Sequence, residues 1–221
     1  MQQAQQPPVF AAILARILFP NNSLVRFVRL RTPDELRWYQ HQYFSQSGSQ
    51  PSLEYLFQAR VYVAVYQGQI IGGFVINADA PLRYLEPFSE VHLKGFEEKF
   101  GFRESDTAEI SCIWLEPTKK KASARLQVYA ASLWMALWAG KKNVLGGAKY
   151  ESIINLYRQV LDIDIFAGTV TDQSGEVFTS FLCYQTRWNV VRNTFRWIYR
   201  EMTGKAIKTK EKKHELLLKK Q

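Results

Sequence analysis

The chain of 221 residues has only two cysteines and three histidines, and no apolar run long enough to span a bilayer; each shortage excludes a class of protein. Cys112 and Cys183 are too few for a disulfide framework and both fall in β-prone stretches, which implies buried thiols in a reducing compartment. There is no CxxC pair or Cys/His cluster, and His41, His92 and His214 lack metal-ligand spacing, so no metal site is expected. The apolar run Val9–Phe19 is interrupted by Arg16 and stopped by Pro20, too short to cross a membrane and without the cationic start of a signal peptide. A soluble, cytoplasmic protein is expected. Acids are scarce too: 20 Asp and Glu against 29 Lys and Arg give a net charge of +9 and an isoelectric point near 9.5. That balance favours an anionic partner: a carrier protein, a phosphorylated cofactor, a membrane surface or nucleic acid. What is plentiful is apolar and aromatic surface, 47% and 14% of the chain, enough for one well-packed domain with end extensions.

The most informative stretch is Asp106–Ala148, which reads as strand, basic loop, long helix and strand without interruption. Over Thr107–Leu115, strict alternation places Glu109, Ser111, Ile113 and Leu115 on one face and Ile110, Cys112 and Trp114 on the other. In the next segment Leu126, Tyr129, Ala130, Leu133, Leu137 and Trp138 recur at helical spacing, with Val128, Trp134 and Met135 on other faces, so the helix is packed on several sides. Gly140 suits its stop, and Asn143–Ala148 resumes as a strand. A strand–helix–strand unit of this length implies a right-handed crossover between parallel neighbours. The loop Thr118–Ser123 puts Lys119, Lys120 and Lys121 at a helix N-terminus, where cations conflict with the helix dipole and a bound phosphate would relieve the conflict. A solvated charge run with Ser123 as N-cap is the equal alternative.

Along the rest of the chain, Val9–Phe19 reads as an amphipathic helix, either laid over the domain or at a membrane interface. Leu24–Leu30 is a strand, and Thr32-Pro33-Asp34-Glu35 a helix start with a capping box. Arg60–Tyr66 and Gln69–Asn77 form a hairpin about Gln67-Gly68, and Gly72-Gly73 marks a bulge or a close approach of backbone or ligand. Ala80–Asp106 is an insertion with a helix over Glu90–Phe100. Tyr150–Val160 is an amphipathic helix, Ile163–Thr171 and Glu176–Tyr184 a second hairpin, and Thr186 begins a basic aromatic helix that leads into a lysine-rich tail.

This order of elements resembles the GCN5-related N-acetyltransferase fold over about Leu24 to Tyr184. The resemblance implies a mixed α/β (α+β) architecture, a mostly antiparallel twisted sheet with a central parallel, splayed pair and flanking helices. It divides the chain into an N-terminal arm and helix (1–23), an acyltransferase-like domain (24–200) and a basic tail (201–221). In that family the strand matching AEISCIWLEP parts from the strand matching Asn143–Ala148, and its freed backbone, here Ile113, Trp114 and Leu115, holds the pantetheine arm. The following loop holds the pyrophosphate, which implies Lys119, Lys120, Lys121, Ser123 and Arg125 as cofactor-binding residues. The "LY" of YESIINLYRQV matches the family's fourth helix and implies Tyr157 as the acid that protonates the departing thiolate. The loop lacks the family's glycines, as do the autoinducer synthases and the similar N-acyl amino acid synthases, whose Glu-x-Ser-Arg strand resembles Glu109-Ile110-Ser111-Cys112 with Cys112 in place of Arg.

The reading that follows is an N-acyltransferase moving an acyl group from acyl-CoA or from the phosphopantetheine of an acyl carrier protein to a small-molecule or other amine. Glu109, desolvated beside apolar neighbours, would take the proton, with Ser111 in the same strand and Tyr157 as acid. The alternative for Glu109 is an ion pair with Arg60 or another strand arginine; Ser111 would then satisfy backbone, and Tyr157 would be a core aromatic. Cys112 as a nucleophile has no nearby histidine in sequence, so a structural thiol is the simpler reading. Tyr84, Trp114, Trp134 and Trp138 either line an acyl pocket or pack an aromatic core. The rival function is a non-catalytic module of the same fold that engages an anionic membrane surface through the basic C-terminus; nucleic acid is not favoured.

Overall fold

The computed structural model describes residues 25–116, 122–171, 175 and 177–203. The N-terminal apolar helix, Lys119–Lys121 and the tail past residue 203 therefore lie outside the described residues.

In chain order the elements are β1 (Arg26–Leu30), α1 (Pro33–Ser47), α2 (Leu53–Gln58), β2 (Arg60–Tyr66), β3 (Gln69–Asn77), α3 (Glu90–Phe100), β4 (Thr107–Leu115), α4 (Ala122–Leu137), β5 (Asn143–Ala148), α5 (Glu151–Tyr157), β6 (Ile163–Thr171), β7 (Val177–Thr186) and α6 (Arg187–Thr203). Short 3-10 turns at Arg83–Leu85 and Glu104–Asp106 flank α3. The seven strands form one sheet in the order β1-β2-β3-β4-β5-β7-β6, antiparallel everywhere except at the central β4–β5 pair. That is the mixed sheet with a central parallel pair expected from the sequence.

Local chemistry explains several boundaries. At the start of α1 the Thr32 Oγ1 accepts from the Glu35 N–H at 3.3 Å, and Glu35 Oε2 accepts from the Thr32 N–H at 2.9 Å, closing the capping box with Pro33 at the first position. Helix α2 was not foreseen. It starts where Ser52 Oγ accepts from the Tyr55 N–H at 3.1 Å, and it buries Tyr55 and Leu56 against the sheet. The tight approach anticipated at Gly72-Gly73 is real: a Cβ on Gly72 would lie 2.5 Å from the Trp114 carbonyl oxygen, and one on Gly73 would lie 2.6 Å from that of Tyr62.

The two faces of the sheet are packed differently. Phe74, Ile76, Ile110, Val128, Val144, Ile154, Cys183 and Val190 belong to one continuous core under α4, α5 and α6. On the opposite face there are two separate cores. One, with Leu36, Tyr39, Leu56, Val61, Val63, Val75 and Trp114, lies under α1 and α2; the other, with Leu82, Phe96, Leu145 and Leu182, lies under the segment that contains α3.

Candidate functional site

Strand β4 carries the site because it is irregular. It pairs with β5 only from Thr107↔Asn143 to Ile110↔Gly146, and beyond that point β5 continues against β7 alone. Ser111–Leu115 thus leaves its β5-facing backbone unpaired within the sheet, as expected for a splayed pair. At the same place the register with β3 shifts between Gly73 and Val75, and Cys112 takes a left-handed φ of +50°. A bulge of this kind adds one residue and reverses the alternation beyond it. The expected faces are therefore corrected. Cys112 and Trp114 join the core on the Glu109–Ser111 side, while Ile113 and Leu115 pack with Ile110 on the other. Tyr39 holds the bulge, its hydroxyl donating to the Cys112 carbonyl oxygen at 2.7 Å.

Glu109, Ser111 and Cys112 are all fully buried. Glu109 Oε2 accepts from the Tyr55 hydroxyl at 2.6 Å and from the Arg83 backbone N–H at 3.2 Å, and Oε1 accepts from the Tyr84 N–H at 2.7 Å. The ion pair with Arg60 does not form; backbone donors of the 83–85 turn take its place. Tyr55 Oη also lies 2.5 Å from Ser111 Oγ, so Glu109, Tyr55 and Ser111 form one connected chain. Burial pushes the Glu109 carboxyl above its ordinary value, opposed by the Tyr55 hydroxyl, the Tyr84 N–H and the Arg83 charge and N–H. Tyr55 is pushed well up by burial and by Glu109.

The turn that binds Glu109 also presents Arg83. Its Nη2 donates to Ser49 Oγ at 2.6 Å, its Nη1 to Cys112 Sγ at 3.5 Å, and its guanidinium carbon stands 5.8 Å from the Tyr43 ring centre. Burial raises the Cys112 thiol although Arg83 acts to lower it, so Cys112 is a neutral acceptor rather than a thiolate. Tyr84 leans on the parted strands from this face: a Cβ on Gly147 would stand 2.9 Å from its ring, which explains glycine at that position. From the opposite face the Tyr157 ring stands 3.0 Å from where a Gly146 Cβ would be. Tyr157 is buried, edge-on to Tyr129, and beside a small apolar cleft lined by Leu133, Leu156, Val160 and Trp197. Burial, then the neighbouring Tyr84 and Tyr129, push its phenol well up, so it stays protonated.

Glu109 and Ser111 thus come together, and Tyr157 flanks the same strand opening from the other face. Ile113, Trp114 and Leu115 form the freed edge of β4. Ser123 and Arg125 fall in the first turn of α4, and Lys119, Lys120 and Lys121 lie outside the described residues. Of the aromatic group, Tyr84 is in the site and Trp114 in the core beneath α1, while Trp138 is 60% exposed. Among the described residues no group of His, Cys, Asp and Glu is arranged to hold a metal, and no helix is long and apolar enough to cross a membrane. Sequence reasoning missed Tyr55, Arg83 and Tyr43. Ser52 followed by a first-turn acid, Glu54, would have signalled α2 and hence Tyr55; nothing local marks Arg83.

No family model matches the chain, and neither does any curated protein. Among solved structures, FeeM, an N-acyl amino acid synthase from uncultured soil microbes, superposes with a TM-score of 0.57 at 13% identity over 78% of this chain and 95% of that one. An N-acetyltransferase from Staphylococcus aureus Mu50 gives 0.48 at 11% identity over 76% and 99%. A GNAT family acetyltransferase from Elizabethkingia anophelis with acetyl-CoA bound gives 0.46 at 15% identity over 75% and 99%. The first superposition, together with the sheet order and the parted β4–β5 pair, shows the GCN5-related N-acetyltransferase (GNAT) fold.

Proposed function

We propose, from this fold, that the protein is an N-acyltransferase that moves an acyl group from a phosphopantetheine thioester, on CoA or on an acyl carrier protein, to an amine. The observation that carries the reading is the chain Glu109–Tyr55–Ser111 beside the freed edge of β4. In the reaction the pantetheine arm lies along Ile113, Trp114 and Leu115, whose backbone orients the thioester. Lys119, Lys120, Lys121, Ser123 and Arg125 bind its phosphates. The amine attacks the carbonyl carbon, the C–N bond forms and the C–S bond breaks. Because three donors already surround Glu109, the ammonium proton travels through Ser111 and Tyr55 to that carboxylate rather than directly. Tyr157, held protonated by burial, gives its proton to the departing sulfur.

The test is turnover of acyl donors of increasing chain length, carried on CoA and on acyl carrier protein, with a mixed panel of amines, read as free thiol and by mass spectrometry of the acylated amine. Thiol release that depends on amine, and is lost in Glu109→Gln, supports the reading; hydrolysis alone, or none, overturns it.

One observation favours the second reading, a non-catalytic module on an anionic surface. Trp188, Arg192, Phe195 and Arg196 are all exposed on one side of α6 while Val190, Asn193 and Trp197 face inward. Binding to anionic vesicles without any acyl transfer would support that reading over the enzyme.

A further inference from the structure

Strand β5 is bare where β4 leaves it. The last pair between them is Ile110 with Gly146, and the next residue of β5 is again a glycine, Gly147. Successive strand residues face opposite sides of a sheet, so the two glycines open both faces at one point. Neither has the left-handed backbone that favours glycine. What requires glycine is a ring on each side: a Cβ on Gly146 would stand 3.0 Å from Cδ1 of Tyr157, and one on Gly147 would stand 2.9 Å from both Cδ atoms of Tyr84, with Leu161 and Leu182 crowding the same two positions. The two phenols thus flank one opening from opposite faces, and Tyr84 is the neighbour that raises the Tyr157 phenol most. Tyr157 has a role in the reaction above, whereas Tyr84 has none. Its backbone is fixed, the N–H donating to Glu109 Oε1 at 2.7 Å. Its side chain is part-buried, and its hydroxyl has no hydrogen-bond partner among the described residues yet is not sealed from solvent. A tyrosine hydroxyl drawn into a packed region normally finds a partner. Burial, then Tyr43 and Cys112, push this phenol well up, so it is a neutral donor.

We propose that Tyr84 is a further catalytic residue, its hydroxyl donating to the carbonyl oxygen of the thioester while Tyr157 serves the sulfur. This rests on the acyltransferase reading. A thioester gathers negative charge at two atoms in turn, on oxygen when the amine adds to the carbonyl carbon and on sulfur when the C–S bond breaks. Both atoms are bonded to one carbon, and two phenols that flank one opening match them one to one. As the amine adds, the C=O π pair moves to oxygen, which accepts the Tyr84 O–H without taking its proton. As the pair returns, the C–S bond breaks and the sulfur takes the proton of Tyr157. The ammonium proton leaves through Ser111 and Tyr55 to Glu109. A neutral donor fixed in place before the charge develops needs no reorganisation when it does. The bond from the Tyr84 N–H to Glu109 ties that donor to the carboxylate that receives the proton of the amine.

The experiment reads the hydrogen bond itself. Decanoyl thioesters isotopically labelled at the carbonyl carbon, carried on CoA and on acyl carrier protein, are bound to the full chain, and the labelled C=O stretch is followed by infrared difference spectroscopy. The band is expected at lower frequency in wild type than in Tyr84→Phe, which keeps the ring on Gly147. Turnover in the variant is expected to fall roughly 100- to 1,000-fold with donor affinity unchanged. A band at the same position in the two proteins overturns the proposal. So does a wild-type band where the thioester absorbs in an apolar solvent, which decides even where the variant fails to fold. A loss of donor affinity as large as the loss of turnover also overturns it and returns Tyr84 to packing against Gly147. Acylation of a mixed panel of amines is measured in parallel. Amine-dependent acylation with an unmoved band leaves the acyltransferase reading standing and Tyr84 refuted, whereas a moved band without acylation of any amine leaves Tyr84 as the donor to the carbonyl and refutes the activity.

Discussion

On the face covered by α4, α5 and α6 one apolar core runs without interruption, whereas on the other face Glu109 stands between two cores, bonded to Tyr55 of one and to the backbone of Tyr84, which packs on the other. The ion pair on the first face, Arg158 with Asp164, is only part-buried, whereas Glu109 on the other is fully buried. A buried carboxylate and a part-buried guanidinium that do not pair with each other add little stability, and a wholly apolar seam of the same volume would be as stable or more so. The seam therefore marks where the chain gives up stability, and the bulge at Cys112 shows how: it turns Cys112 and Trp114 onto the face that needs them.

The largest effect should separate the faces by stability. Phe74→Ala, at a fully buried position in the continuous core, is expected to cost about 3–5 kcal/mol in denaturant unfolding, with the folded fraction still active. The comparison breaks if Phe74→Ala leaves stability intact.

Glu109→Gln should do the reverse, lowering turnover roughly 100-fold with little loss of donor binding. Its pH behaviour carries a sign. A carboxyl whose value is raised on folding binds its proton more readily in the native state, so its contribution to stability is most favourable at acid pH and is lost as pH rises through the folded value. Glu109→Gln should therefore lose less stability than wild type between weakly acid and neutral pH, while the acid fall in wild-type activity disappears. Parallel unfolding curves at several pH values check both.

Tyr55→Phe sharpens the same point at lower amplitude. The Tyr55 hydroxyl is the foremost of the groups that hold the Glu109 carboxyl down, so its removal should move the acid limb of the rate profile to higher pH and slow turnover roughly 10-fold. An unmoved limb would take Tyr55 out of the relay. Smallest should be Tyr157→Phe on the apolar face, which keeps the ring and the fold and slows only sulfur departure. Its deficit should shrink with donors whose thiols leave more readily, and a deficit independent of the leaving group would return Tyr157 to the core as a packing residue.

Much of this was legible in the sequence for local reasons. The capping box of Thr32 and Glu35, the hairpin at Gln67-Gly68, the strand–helix–strand order around α4 and its parallel pairing depend on neighbours in the chain and on the handedness of crossovers. Glu109 and Ser111 stood out as polar residues in an apolar strand, which alternation alone reveals. The alternation failed from Cys112 onward, because a bulge is set by how β4 must fit both β3 at the Gly72-Gly73 approach and the divergent β5, and neither partner is visible from within the strand. Arg83 lies 26 residues before Glu109 and 34 after Ser49, in segments whose local patterns say only loop. Short-range periodicity fixes which residues a segment buries; only the packing of distant segments over one strand decides which buried groups meet, and here that meeting places an arginine, four phenols and a carboxylate around the bulge of β4.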